Sequence, residues 1–500
     1  MSSKKDRPKF SSNIKTHIFD NGLRLIYEHP HTSLPITSIN TFCDIGSADE
    51  PENLRGAAHF IEHMCFKGTK KVPKASKIYL AYDDVGAILN AYTNKQFTQY
   101  VVKTAADYTH NCIDLMSDMI LNSKFDRDQF VKEQKVVIEE TLRSGDDAAR
   151  DVADLTEAAI YKGSPYAFPI DHFDYHSKQP YDYADVVKLY RDFYQPDRMV
   201  VSVVSTLSFE EIKRMVEKSY FIKGTYGSLK IKGTAGSLKI PPIQDNQGSL
   251  NFEERDLKSA KQSVGSLNFV EKPNTKTIHL NVSFRTCNMY SDDRYVLDVL
   301  KHILSGTFGS LLSTLLREKN GLTYTSKAYT TYYEQSGDFT IYAQVDSRKI
   351  LTAGAPIKHN KVMSKRGHSI RKNKTQSRKK SLPGVLPLIM KLLTHLVKHG
   401  ITEKELSVAK HNIHGKMMIG LEDSMSQSAH NGRHLLLYPD EPVVPCDEYY
   451  DVHLKSITVK QVNDVIRKYF HNENMYVCMV GSIHKVIGKN ESHLRSFIEI

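Results

Sequence analysis

The order of elements along the chain runs through one cycle before residue 222 and starts again after about residue 271, which confines the fold to two similar halves. Strand-like and helix-like patterns alternate in both stretches, the pattern of a mixed α/β architecture. In the first, "HIFDNGLRLIYEHP" reads as two strands about an Asn-Gly turn, and "SINTFCDIGSADE" as a third strand. Pro51 is expected to open a helix that stops at Gly68. A helix over Val72–Leu89, a strand over Leu89–Lys103 and helices near Asp107–Asn122 and Asp126–Arg143 follow. "DRMVVSVVS" reads as a buried strand, and "SFEEIKRMVEKSYF" begins with a Ser-x-x-Glu capping box. In the second, "TIHLNVSFRT", "DDRYVLDVLKHILS", a further helix and the strands of "YTSKAYTTYYEQSGDFTIYAQVD" repeat the order, and "MYVCMVGSI" closes it.

Between them, "IKGTYGSLK" and "IKGTAGSLK" stand in tandem at 222–239, followed by Pro241, Pro242 and two further "GSLNF" copies. Two copies are too few for a solenoid, so the stretch reads as a linker. The expected organisation is 1–221 as a first half, 222–270 as linker and 271–500 as a second half interrupted at 358–380. The net charge of +11 resides in that interruption: ten Lys or Arg and no acid lie between Leu351 and Pro383, leaving +1 elsewhere. With no aromatic residue interleaved for base stacking, it reads as a solvated insert rather than a nucleic-acid surface, with contact to an acidic partner or lipid surface as the alternative. No stretch reaches 18 consecutive apolar residues, so no transmembrane helix is expected. The first sixteen residues lack the apolar core of a secretory signal; their basic, serine-containing composition suits an organelle-targeting segment, against which Asp6 and Pro8 break a clean amphipathic helix. Six scattered cysteines with no C-x-x-C pair indicate free thiols.

The chemistry concentrates in "GAAHFIEHMCFKGT". On a helix, His59, Glu62 and His63 share one face, which sets two imidazoles side by side with a carboxylate next to them. This H-x-x-E-H order inverts the H-E-x-x-H of other zinc proteases. A catalytic zinc takes three protein ligands and keeps one position for water. The helix "FVKEQKVVIEETLR" offers Glu133 and Glu140 two turns apart on one face, so one carboxylate can complete the site while the other supports it.

"HFIEHMCFKGT", "LNAYTNKQFTQY" and "KEQKVVIEET" together resemble the inverted-motif zinc peptidases of the pitrilysin superfamily, most closely the beta-type mitochondrial processing peptidases. Seventy-six residues separate His63 from Glu140, the spacing of that family's third ligand, and "YQPDRMVVSVV" and "LLREKNGLTYT" extend the likeness over nearly the whole chain outside linker and insert. The resemblance implies two homologous halves, each a mixed sheet flanked by helices, clasping a central chamber. It implies a zinc ion on His59, His63 and Glu140, with Glu62 as general base and Glu133 as its supporting glutamate. Substrate contacts fall on Asn90, Ala91 and Tyr92 as a strand edge, on Phe66 as an aromatic pocket, and on Arg317 with Tyr324 at the substrate carbonyl.

The family reads arginine through acids ten and fourteen residues after the third ligand; here these are Arg150 and Asp154, with Asp151 beside them, so a looser arginine requirement is expected. "LSGTFGSLL" lacks the expanded glycine-rich loop of the alpha-type subunit. The implied function is removal of basic presequences from proteins imported into a mitochondrion or related organelle, in its matrix, alone or with an alpha-type partner. A general oligopeptidase of the same superfamily is the alternative. A non-catalytic core subunit of the respiratory cytochrome complex is a third, which the intact His59, Glu62, His63 and Glu140 set disfavours.

Overall fold

The computed structural model describes residues 14–144, 147–171, 181–223, 266–353 and 382–484, with 496 and 498. The insert 358–380 and most of the linker lie outside the described residues. Two compact units are present: residues 1–147, 161–259 and 410–456 in one, and 148–160, 260–409 and 457–500 in the other.

The first unit is built on six strands: β1 (Lys15–Ile18), β2 (Arg24–Glu28), β3 (Ile36–Cys43), β4 (Ile88–Thr93), β5 (Thr98–Ala105) and β6 (Met199–Ser205). Their order is β1-β2-β6-β3-β5-β4, with β2 and β6 parallel and every other pair antiparallel. Every residue of β6 is buried, as a continuous valine run requires when both faces are covered. Ile39, Val201 and Val203 meet α1 (Ala57–Cys65) and α3 (Thr109–Leu121) in the main core; α2 spans Ala75–Asp83. The opposite face carries Ser38, Asn40 and Ser202, which bond to the helix Ser424–Leu437: Ser38 to Ser424 at 2.8 Å, Asn40 Nδ2 to Ser428 Oγ at 2.9 Å, and Ser202 Oγ to the Ser428 carbonyl at 2.7 Å. Small residues let that helix lie close; a Cβ at Gly432 would meet Phe42 at 2.3 Å.

The second unit repeats the plan. Its strands β7 (Ser266–Glu271), β8 (Thr277–Thr286), β9 (Thr323–Tyr332), β10 (Gly337–Asp346) and β11 (Met475–Gly481) run in the order β7-β11-β8-β10-β9. That is the order of β2-β6-β3-β5-β4, including the single parallel pair, here β7 with β11. The covering helix is Ala148–Ile160, and Asn281 on β8 donates to Thr156 Oγ1 at 2.9 Å. Asn281 thus repeats the bond of Asn40 to Ser428. Each sheet is therefore covered by a helix encoded far from its own strands in the chain.

Four local expectations are revised. Pro51 leads only a short 3-10 turn, Glu52–Leu54, and α1 begins at Ala57. Val72–Leu89 yields a nine-residue helix, and Leu89–Lys103 is a hairpin rather than one strand, because Asn94 Oδ1 accepts from the amides of Gln96 and Phe97 and turns the chain. Ser266–Glu271, placed at the linker's end by its composition, is an edge strand.

Candidate active site

Helix α1 starts abruptly. Gly56, at φ +87°, turns the chain into the helix, and the Glu50 carboxylate accepts from the amides of Gly56 and Ala58 at 2.7 Å each. These are the amides a helix start leaves without intrahelical partners. Burial pushes the Glu50 carboxyl up to about 8, against those two hydrogen bonds. After the helix, Gly68 at φ +121° passes the Pro73 carbonyl so closely that a Cβ would lie 2.5 Å from its oxygen. Ala57, Ala58, Phe60, Ile61, Met64 and Cys65 are all buried in the core, which leaves His59, Glu62 and His63 on the other face. Cys65 is packing, its thiol pushed up to about 12 by burial. All six cysteines are unpaired.

The helix α4 (Arg127–Ser144) packs on α1 through Phe130 against Phe60, ring centroids 4.8 Å apart. It carries Glu133 and Glu140 to the histidines. The His59 and His63 rings lie 4.7 Å apart, and one donor atom from each of His59, His63 and Glu140 falls within 4.8 Å of the others. His63 Nε2 stands 3.5 Å from Glu140 Oε2. Two ligands at about 2.1 Å on a tetrahedral zinc lie roughly 3.4 Å apart. The donor set and its spacing fit that ion.

The other nitrogen of His63, Nδ1, bonds Glu133 Oε1 at 2.8 Å, and Lys67 Nζ bonds Glu133 Oε2 at 2.6 Å. Burial favours the neutral form of Glu133, but the His63 and Lys67 hydrogen bonds outweigh it and hold the carboxyl below its ordinary range. A carboxylate on the far nitrogen fixes the tautomer and ring orientation of a metal-binding histidine. Glu62 is buried at 8% exposure and accepts from Thr93 Oγ1 at 2.6 Å. Burial raises its pKa, opposed by Thr93 and His63.

The remaining substrate residues distribute as follows. Asn90, Ala91 and Tyr92 lie on β4, the edge strand of the first sheet, whose last residue is Thr93. Phe66, the residue that caps α1 at its C-terminus, is 8% exposed and stacked on Tyr79 with ring centroids 6.1 Å apart. Asp154 belongs to the second unit, one turn from Arg150, whose Nε is 3.8 Å from its carboxylate. Asp151 is paired with Lys272, so it is not a free replacement for the missing acid. Arg317 and Tyr324 do meet, the guanidinium 5.1 Å from the ring centre, with Tyr324 84% exposed. Sequence reasoning missed Glu50, Lys67 and Thr93. Lys67 follows His63 by four residues, a signal that was readable; the other two act through tertiary contacts.

Residues 27–171 match the family model "Insulinase (Peptidase family M16)", and residues 180–355 match "Peptidase M16 inactive domain". The chain belongs to peptidase family M16. An M16 pairing of one active and one inactive domain agrees with the presence of H-x-x-E-H in the first half alone. A Bacillus subtilis protein named "Uncharacterized zinc protease YmxG" is 28% identical over 91% of this chain and 96% of its own length. A Mycobacterium leprae protein named "Uncharacterized zinc protease ML0855" is 27% identical over 88% of this chain and 86% of its own. "Mitochondrial-processing peptidase subunit beta" of Dictyostelium discoideum is 23% identical over 68% of this chain and 69% of its own. The crystal structure of a protease from Helicobacter pylori shares the fold, with a TM-score of 0.74, 18% identity and coverage of 94% of this chain and 99% of that one. The beta-type assignment therefore reduces to the family: bacterial members match over more of the chain, and at higher identity, than the mitochondrial one.

Proposed function

We propose that this chain is a zinc-dependent peptidase of general oligopeptidase type, hydrolysing extended peptides at the face shared by His59, Glu62 and His63. The convergence of His59, His63 and Glu140 donors within 4.8 Å, beside a buried carboxylate on the same helix, carries the proposal. The names of the bacterial relatives support zinc as the metal. Zinc on these residues supplies Lewis-acid activation of water and of the peptide carbonyl. Glu62 takes the proton of the attacking water and returns it to the leaving amine. Thr93 orients Glu62 for both transfers, while Glu133 and Lys67 hold the His63 ring. The outer edge of β4, where the Ala91 amide donates to Asn90 Oδ1 at 2.9 Å, is a sheet edge to which an extended peptide can add as a further strand, delivering its scissile bond beside Thr93 and Glu62. Restriction to imported presequences in a mitochondrion-related organelle is the narrower alternative, favoured by the Dictyostelium relative.

Incubation of the purified chain with matched internally quenched peptides, basic and non-basic, tests both levels. Cleavage that a chelator abolishes and zinc restores is expected, on both peptide sets. Chelator-resistant cleavage contradicts the zinc mechanism, and cleavage confined to basic presequences favours the narrower function.

A further inference from the structure

A second cluster of metal-type donors lies in the first unit, away from α1. Glu28 is the last residue of β2, His31 follows in the next loop, and Asp447 sits in the short helix Cys446–Tyr449. In the sheet order β2 stands four strand positions from β4, about 19 Å at ordinary strand spacing, so this cluster is separate from the catalytic edge. One donor atom from each residue lies within 4.8 Å of the others, and His31 Nε2 is 3.8 Å from Asp447 Oδ2.

The burial of Glu28 makes the cluster unusual. Its side chain is 0% exposed; Oε2 accepts from Asn431 Nδ2 at 2.6 Å, while Oε1 is buried without a hydrogen-bond partner. The Asp447 side chain is 3% exposed; burial raises its pKa, opposed by His31 and by the backbone amides of Asp447 and Glu448. Two carboxylates held together out of water repel each other, and a carboxylate oxygen buried without a donor is costly. A cation between them removes both penalties. Three protein donors that include an imidazole suit zinc, whereas calcium and magnesium take larger all-oxygen sets.

We propose that Glu28, His31 and Asp447 form a second zinc site, which staples the end of β2 to the Cys446–Tyr449 segment. The site has a structural role and takes no part in peptide hydrolysis.

Zinc content of the purified full-length chain, after equilibrium dialysis against micromolar Zn2+, tests this. Wild type should hold one more zinc per chain than Asp447→Asn or His31→Gln, whatever the occupancy at His59 and His63. Both variants should keep peptidase activity within about twofold of wild type. In His59→Ala, which lacks a donor at the catalytic centre, one zinc should remain. Equal zinc content in wild type and a folded Asp447→Asn or His31→Gln chain overturns the second site. So does a His59→Ala chain that binds no zinc, a result independent of how the other variants fold.

Discussion

His63 is held at both ring nitrogens by carboxylates of one helix: Nδ1 bonds Glu133 at 2.8 Å, and Nε2 lies 3.5 Å from Glu140. The seven-residue interval between the glutamates on α4 makes this possible, since both then project towards α1. In the proposed mechanism one carboxylate orients the ring and the other shares its metal. Glu133→Gln should therefore lower zinc affinity about 10- to 100-fold, with the fold intact. Lys67→Met should act in the same direction and more weakly. Zinc dissociation constants from competition with a fluorescent chelator check this; unchanged affinity in Glu133→Gln would remove the supporting role.

Glu139 and Glu140 differ by one position yet should differ wholly in effect. Glu140 reaches the histidines, whereas Glu139 is exposed on the next face of α4. Glu140→Gln should lose the catalytic zinc and Glu139→Gln should keep it, read as metal per chain after dialysis. The reverse pattern would place the third ligand one residue earlier.

Thr93→Val removes the hydroxyl that donates to Glu62 without touching a metal ligand. A hydrogen bond to a charged group is worth about 1.5–3 kcal/mol, so kcat should fall roughly 10- to 100-fold. Zinc content should not change. A loss of zinc together with activity would mean that Thr93 shapes the metal centre rather than the base.

His430 gives the first unit a pH dependence. Its ring is half-buried and donates from Nε2 to the Val444 carbonyl at 2.9 Å; desolvation holds its pKa below the ordinary 6.5. The unfolded chain then takes up the proton first as pH falls through 6.5, so this contribution to stability is complete above that value and declines below it. The unfolding free energy from urea titrations should drop between pH 7 and 5, by at most about 1.4 kcal/mol per pH unit from this group. His430→Gln should flatten that decline. An equally steep decline in the variant would assign it to other groups.

The helix motif was legible because its geometry is local: three residues within five positions need only a helix to become neighbours on one face. The approach of Glu140 to the histidines was legible through one interval, and the repeated order of elements foreshadowed two sheets that share a five-strand order. The helices that cover the outer faces were not legible. Periodicity tells that Ser38, Asn40 and Ser202 face a different environment from Ile39 and Val201, but not that the partner is a helix nearly 400 residues away in the chain, as for Ser38 and Ser424. Glu50 and Thr93 act across turns and sheet edges, where no short-range pattern marks them.

Glu62→Gln tests the central claim most directly, because it keeps the side chain's size and removes only its ability to accept a proton. The variant should bind as much zinc as wild type and cleave an internally quenched peptide at least about 100- to 10,000-fold more slowly. Wild-type turnover at wild-type zinc content would contradict the assignment of Glu62 as the base.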